Sequence, residues 1–334
     1  MAASRVSPGK VKVSAGLPDS HPFQEMDHTQ ATTIEAPSRL RKVQNTFPVR
    51  SLIKGFIGAS GFLPVWFMRL LALGIVLPIA VPLTRANFRQ VKENLRRLHP
   101  DGSRLQRIRE VWSVYRHYTF YLIDLMYLSH GRGRDREYRV RITGGENLFR
   151  AREQGKGVLL LTSHLGNWEI GGRALAGIGE KIHVVYSPDS SDLFERRRSL
   201  MRGNGNEDVH SVGLKAGGLT SLTLYRLLAR GALVAIQGDR LLFDRGLPVS
   251  FFGFPARFPL GPVRLAQLSG SPVVPIFIPM TGYKSYEIII EAPIDMDAQA
   301  RTEDNLSRLV AVLERYIGRY RTQWYTFRSF WEDG

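Results

Sequence analysis

The stretch that decides the fold is VLLLTSHLGNWEIGG, residues Val158–Gly172. It opens with a run that is apolar up to its closing threonine, which is typical of a strand buried on both faces of a sheet. A polar loop follows, and the residues from Trp168 onward favour a helix that either Ser163 or Asn167 is placed to cap. A buried strand followed at once by a helix indicates an α/β sheet.

Similar apolar runs alternate with helical patterns along the rest of the chain. The predicted strands are His183–Ser187, Ala232–Gln237, Pro272–Pro279 and Glu287–Glu291, and the predicted helices include Thr220–Arg230 and Asn305–Tyr320. Strands separated by helices favour a sheet covered on both faces. We therefore predict one α/β domain with a mixed, mostly parallel central sheet flanked by helices.

The N-terminal part of the chain divides into two segments. Residues 1–47 are rich in Ser, Pro, Thr and charge, so they are expected to form a disordered leader. Residues 48–84 form an apolar, membrane-anchoring segment that is interrupted by Arg69. Three interpretations stay open for it: a tilted or kinked membrane span, an interfacial anchor, or a buried core helix. The folded α/β domain is predicted over residues 85–334.

The formal net charge of +16 indicates an anionic partner. Nine Lys or Arg residues against three Asp or Glu residues lie between Arg85 and Arg116, directly after the apolar segment. A basic cluster in that position suits the anionic cytoplasmic face of a membrane, although a solvated helix face has the same composition. No nucleic-acid partner is predicted, because zinc-finger spacing and an RNP-like aromatic motif are both missing from the sequence.

Several classes of site do not fit this composition. The 334-residue chain contains no cysteine, which excludes disulfides, thiolate metal sites and thiol nucleophiles. The histidines form neither an H-x3-H nor an H-E-x2-H cluster, so no metal is predicted. No phosphate-binding G-x4-G-K-[ST] loop and no G-x-S-x-G serine elbow occur.

The loop after the first strand carries the candidate catalytic pair, His164 and Glu169. Along one continuous helix these two residues would lie about 140° apart, but a histidine in the loop and an acid in the first helical turn can meet. A histidine near neutral pH accepts a proton from an attacking hydroxyl, and a carboxylate orients its ring. A surface histidine beside a capping acid would give the same spacing.

An ordered set of motifs makes the chain resemble the bacterial lysophospholipid-type acyltransferases, the family of the lipid A lauroyl and myristoyl acyltransferases and of phosphatidylinositol mannoside acyltransferase. The blocks are Gly144–Glu169, Gly238-Asp239-Arg240, Phe251–Ala266, Ser269–Pro275 and Gln323–Phe327. The resemblance covers the chain from about Gly55 to Trp331. The resemblance implies that the α/β domain is a single acyltransferase domain.

The resemblance also implies roles for individual residues. His164 and Glu169 match the family's H-x4-D/E dyad, and Asp239 matches an acid expected near the acceptor or the oxyanion site. Arg202 approximately matches an arginine placed near the reacting carbonyl. Further substrate contacts are expected from the following residues: Asn167, Arg240, Phe252 and Arg257. The phenylalanine-rich block contains Phe251, Phe252, Phe254 and Phe258, and it is expected to be part of an acyl pocket or a packed loop. Trp324 and Tyr325 are expected either to cover the site or to lie in the core.

The predicted function is therefore transfer of a fatty acyl group from acyl carrier protein or acyl coenzyme A to a hydroxyl of a glycolipid or lysophospholipid, without a further cofactor. The predicted location is the bacterial inner membrane, with the catalytic domain on its cytoplasmic face. Two alternatives stay open. One is an acyl-thioester or lipid hydrolase that uses the same dyad, and the other is a non-catalytic membrane-surface binding protein on this scaffold.

Overall fold

The computed structural model describes residues 58, 60–130, 133–176, 181–186, 209–213, 219–241, 246–294 and 296–331. Its strands are β1 (Arg139–Thr143), β2 (Val158–Thr162), β3 (Ile182–Tyr186), β4 (Val209–Gly213), β5 (Leu233–Gln237), β6 (Gly246–Phe251), β7 (Phe254–Pro259), β8 (Val273–Phe277), β9 (Met280–Gly282) and β10 (Ser285–Ile290). Its helices are α1 (Val65–Leu83), α2 (Arg85–Leu98), α3 (Arg104–Leu128), α4 (Gly145–Glu153), α5 (Trp168–Ala176), α6 (Leu219–Ala229), α7 (Gly261–Ser269) and α8 (Thr302–Arg319).

Eight strands form one mixed sheet in the order β1-β10-β8-β2-β5-β3-β4, with β9 paired to β10. Strand β2 lies at its centre and runs parallel to both β5 and β8. Strands β5, β3 and β4 are also parallel, whereas β10 is antiparallel to β8. The predicted mixed, mostly parallel sheet is therefore confirmed, and strands β6 and β7 form a separate hairpin.

Both faces of the sheet are covered, as the apolar run of β2 predicts. Leu159 and Leu161 point into one hydrophobic cluster, with residues of α2, α7 and α8. Val158 and Leu160 point into a second cluster, with residues of α4 and α5. Since side chains alternate between the faces of a strand, a strand that is covered on both sides must be apolar at every position.

The sequence pattern missed β1, β4, the short strand β9 and the β6–β7 hairpin. Strand β1 reads RVRIT, and its side chains are largely exposed at the edge of the sheet, so no buried run marks it. The hairpin contains Pro248, Pro255 and Pro259, which normally argue against a strand. Proline is tolerated here because each of these strands pairs on one side only, in a two-stranded sheet.

Helix α1 has two different faces. It is the only helix in the described part of the chain that is long and apolar enough to cross a membrane, with a mean hydropathy of 2.0. Val65, Met68 and Ala72 are buried against Ile123 and Met126 of α3. The opposite face exposes large apolar side chains, namely Trp66, Leu70, Leu73, Ile75, Val76, Ile79 and Leu83. This exposed face does not fit a core helix.

Arg69 faces the protein, not the apolar outer side of α1. Its guanidinium donates two hydrogen bonds to the carboxylate of Asp124 on α3, at 3.1 and 2.9 Å. Asp124 is completely buried and also accepts hydrogen bonds from the hydroxyls of Tyr138 and Tyr286. Because a buried charge is stable only when it is paired, this contact fixes α1 on the sheet domain.

Candidate active site

The loop between β2 and α5 is held on both sides by backbone hydrogen bonds. The Gly166 amide donates to the carbonyl of Gln323, and the Asn167 amide donates to the carbonyl of Ile278. Gly166 has a φ of 68°, and a Cβ at this position would lie 1.9 Å from the Ile278 oxygen, so only glycine fits. The loop conformation is therefore determined by its neighbours, and it presents His164 at the carboxyl end of the sheet.

His164 is held by Asp239, which follows β5. The Nδ1 atom of His164 lies 2.8 Å from Oδ1 of Asp239, and the backbone amide of His164 donates to Oδ2 at 3.0 Å. Because an ionised carboxylate can only accept hydrogen bonds, Nδ1 carries the proton in this contact. The neutral ring then has its basic lone pair on Nε2, which is the arrangement that a general base requires.

The carboxylate of Asp239 stays ionised although it is completely buried. Burial alone would raise its pKa, but the charge and hydrogen bond of His164 outweigh this, helped by Arg240 and by the indole of Trp324. The pKa of Asp239 is lowered from 3.8 to about 2. A permanently charged partner stabilises the imidazolium that forms when His164 accepts a proton.

Two hydrogen bonds from the C-terminal segment hold His164 and Asp239 in place. The Trp324 indole N–H donates to Oδ2 of Asp239 at 2.8 Å, and the Tyr325 amide donates to the His164 carbonyl at 2.8 Å. Both aromatic side chains are buried. They therefore belong to the core and hold the site at the same time. The Trp324–Asp239 hydrogen bond was not predicted from the sequence. The signal that could have pointed to it is the Gln323–Phe327 block, which resembles the family.

Asn167 and Glu169 lie at the cap and in the first turn of α5, as the sequence suggested. The hydrogen bond to Nδ1 that was expected from Glu169 is made by Asp239, which parallel pairing of β2 and β5 brings beside the loop. Glu169 is buried in the first turn of α5, and its role stays a prediction. Asn167 caps α5, as predicted, by accepting from the Ile170 amide at 3.2 Å. Its side chain is fully buried, and its contact with substrate stays a prediction.

Two of the predicted arginines are Arg202 and Arg240. Arg202 lies outside the described residues. Arg240 follows Asp239, and its guanidinium donates to the Tyr325 carbonyl, which links the two segments that hold His164. Its charge also helps to lower the pKa of Asp239. Arg240 therefore contacts the segment that holds His164, and its contact with substrate stays a prediction.

Phe252 and Arg257 lie on the β6–β7 hairpin, which is a packed loop. The Phe252 amide donates to Glu314 of α8, and Arg257 donates to the Gly246 carbonyl within the hairpin. Phe251 and Phe258 are fully buried in an aromatic cluster with Trp324 and Phe330. Neither Phe252 nor Arg257 lines the cavity described below, and their contact with substrate stays a prediction.

That cavity lies between α5 and the sheet. Its wall is mostly apolar and includes Leu160 of β2, Val184 of β3 and Ile276 of β8. Trp168 and Glu169 of α5 also line it, and the Trp168 ring centre lies 5.6 Å from that of His164. The arrangement can hold an apolar chain beside a histidine that accepts protons.

Comparison with known proteins identifies related chains. The family model for bacterial lipid A biosynthesis acyltransferases matches residues 42–333. The phosphatidylinositol mannoside acyltransferase of Mycobacterium tuberculosis H37Rv is 30% identical over 139 residues, which are 40% of this chain and 43% of that protein. The enzyme of the same name from Mycolicibacterium smegmatis is 24% identical over 190 residues, covering 56% of this chain and 60% of that protein.

The matched regions therefore span about half the length of these curated relatives. Among solved structures, the 1-acyl-sn-glycerophosphate acyltransferase PlsC from Thermotoga maritima is similar with a TM-score of 0.37 and 15% identity. The match covers 64% of this chain and 89% of that one.

Proposed function

The chain belongs to the family of bacterial lipid A biosynthesis acyltransferases, and we propose that it transfers a fatty acyl group from a thioester to a hydroxyl of a glycolipid or lysophospholipid. One observation carries the proposal: His164 is held by a buried, ionised Asp239, and its ring centre lies 5.6 Å from that of Trp168, which lines an apolar cavity. The donor is acyl carrier protein or acyl coenzyme A, and neither a metal nor a further cofactor takes part.

The proposed reaction is a direct attack in a ternary complex. Nε2 of His164 accepts the proton of the acceptor hydroxyl while its oxygen forms a bond to the thioester carbonyl carbon. Asp239 stabilises the resulting imidazolium through Nδ1. The tetrahedral intermediate then breaks its carbon–sulfur bond, and the imidazolium returns the proton to the leaving thiolate. The products are an ester and a free thiol, and His164 is again neutral.

The apolar cavity fits the acyl chain of the donor. It is lined by α5 and the central strands, and its lining includes Trp168, whose ring lies next to that of His164. An alkyl chain placed here removes its surface from water, which contributes about 0.8 kcal/mol for each buried methylene group. The thioester at the end of the chain then lies beside His164.

We further propose that α1 binds the inner membrane from its cytoplasmic side and lies in the plane of the interface. Its outer face exposes apolar side chains such as Trp66, Leu70 and Ile79, whereas Arg69 on its inner face is paired with Asp124. A spanning orientation would draw this pair and part of α3 into the hydrocarbon layer, which is costly. Arg85 and Arg89 follow α1, are exposed, and suit anionic headgroups.

The membrane proposal is tested with vesicles of phosphatidylcholine and phosphatidylglycerol. We expect the protein to sediment with these vesicles, and a Trp66→Ser, Leu70→Ser double variant to bind at least about tenfold more weakly, because both side chains are exposed on the outer face. Leu105→Ser is the matched control, since Leu105 is an exposed leucine on α3. Equal binding by the double variant and the wild type would contradict the assignment of this face.

The reaction is tested with radiolabelled acyl carrier protein and acyl coenzyme A as donors and a total membrane lipid extract as acceptor. We expect label to enter a lipid, and its identity gives the acceptor class. If free fatty acid is the only product when acceptor is present, the protein catalyses hydrolysis and not transfer. Vesicle binding without any turnover of either donor would favour a non-catalytic surface protein.

A further inference from the structure

A second pair of polar side chains lies at the ends of β2 and β5, just before His164 and Asp239 in the sequence. Thr162 and Gln237 are partners in the register of β2 and β5, and they close these two strands. Each stands two residues before a catalytic residue, since His164 follows Thr162 and Asp239 follows Gln237. Both Thr162 and Gln237 line the apolar cavity, together with Glu169.

These two polar groups have no hydrogen-bond partner among the residues that the structure describes. The Thr162 hydroxyl oxygen and the Gln237 amide nitrogen are both buried, and neither makes a hydrogen bond within the part of the chain that the structure describes. Thr162 as a whole is 6% exposed. Buried polar groups are nearly always paired, so two such groups in the wall of one apolar cavity indicate a polar atom of a ligand.

The chemistry of the two groups limits what that atom can be. The amide nitrogen of Gln237 can only donate a hydrogen bond, and the hydroxyl of Thr162 can donate one as well. The acceptor hydroxyl of the reaction must give its own proton to His164 and does not need two donors. A carbonyl oxygen has no hydrogen of its own, and it gains negative charge as the hydroxyl attacks.

We propose that Gln237 and Thr162 bind the carbonyl oxygen of the acyl thioester and stabilise the oxyanion that forms on it. This rests on the proposed function, because it places the acyl chain in the cavity and the thioester beside His164. As the new carbon–oxygen bond forms, the carbonyl electrons move to this oxygen, and they return when the carbon–sulfur bond breaks. Donors placed at that point stabilise the transition state more than the bound substrate.

The first test measures turnover of two variants that remove the donors. Gln237→Leu and Thr162→Val keep nearly the original volumes, and we expect kcat to fall by about 100-fold or more for Gln237→Leu with KM little changed. Ser271→Ala is the matched control. Ser271 is also buried without a partner for its hydroxyl among the described residues, but it does not line the cavity. A kcat for both cavity variants within threefold of wild type would overturn the proposal.

The second test measures binding without turnover and separates this proposal from the proposed function. The probes are S-(2-oxoalkyl) coenzyme A, which carries a ketone near the sulfur, and the S-alkyl thioether, which does not. The same two groups are also mounted on acyl carrier protein. We expect the wild-type full chain to bind the ketone at least about tenfold more tightly than the thioether. Gln237→Leu should bind the ketone no more tightly than the thioether.

The outcomes of the binding test are distinct. A ketone preference that survives in both Gln237→Leu and Thr162→Val, or a wild type without any preference, overturns the oxyanion assignment and leaves the acyltransferase proposal intact. Binding of neither probe on either carrier overturns both proposals. If Gln237→Leu does not fold, Thr162→Val provides the same comparison with the loss of one donor.

Discussion

Replacing Asp239 by asparagine is expected to invert the hydrogen bonding of His164. Oδ2 of Asp239 accepts hydrogen bonds from the His164 amide and the Trp324 indole, so the single amide oxygen of asparagine would take this position. The NH2 group would then face Nδ1 of His164, where Oδ1 accepts in the wild type. Because NH2 can only donate, Nδ1 would become the acceptor and Nε2 would carry the hydrogen.

The inverted tautomer has no base on the substrate side. We expect kcat to fall by about 10⁴-fold at neutral pH, which is the effect of the corresponding change in a serine protease triad. Stability is expected to fall as well. A pKa lowered from 3.8 to about 2 corresponds to about 2 kcal/mol of stabilisation by the ionised carboxylate. Since this pKa is lowered, the contribution is present above pH 3.8 and is lost as the pH falls toward 2.

Two assays check this prediction. Acyl transfer at pH 7 gives kcat for the wild type and for Asp239→Asn, and urea unfolding gives the difference in the free energy of unfolding. That difference should shrink when the unfolding is repeated near pH 3. A variant with kcat within tenfold of wild type would refute the assignment of Asp239 as the residue that fixes the tautomer. If the difference in the free energy of unfolding grows on acidification, the pKa of Asp239 is not lowered in the folded protein.

Three further changes follow from the same contacts. Trp324→Phe removes one hydrogen-bond donor from Asp239 but keeps the tautomer of His164. Urea unfolding should show a free energy of unfolding lower by about 2 kcal/mol, and kcat should fall far less than in Asp239→Asn. An equal fall of kcat in the two variants would contradict this. Gly166→Ala adds a Cβ at 1.9 Å from the Ile278 oxygen at a φ of 68°, so it should lower the free energy of unfolding by more than about 2 kcal/mol. Gly261→Ala is the control, because a Cβ there meets open space and should change the stability little. A stable Gly166→Ala protein would show that the loop is not fixed as described. Arg69→Met leaves Asp124 buried without its cation and should lower the free energy of unfolding by about 3–5 kcal/mol, and adding Asp124→Asn should restore part of the loss. A double variant less stable than Arg69→Met would contradict the pairing.

The sequence predicted the parts of the site that are local. The strand β2, the loop and helix α5 follow from an uninterrupted apolar run, a polar break and a capping asparagine. The bounds of β2 match the predicted Val158–Thr162. His164 and Asp239 each stand just beyond a buried strand, and a parallel sheet brings such positions to one edge.

The sequence could not predict the contacts that depend on distant pairing. Glu169 lies five residues from His164 and was therefore the obvious partner, whereas Asp239 is 75 residues away and reaches Nδ1 only because β2 pairs with β5. In the same way, Arg69 looked like an interruption of an apolar segment. It is buried because its partner Asp124 lies 55 residues further along.

The measurement that tests the central claim most directly is a single-turnover acyl transfer by the full chain and by His164→Gln. Each protein is used in excess over a radiolabelled donor, with membrane lipid present. We predict that the wild type forms a labelled lipid ester and that His164→Gln, although folded and able to bind the donor, forms it at least about 100-fold more slowly. Equal rates for the two proteins would contradict the claim that His164 is the general base.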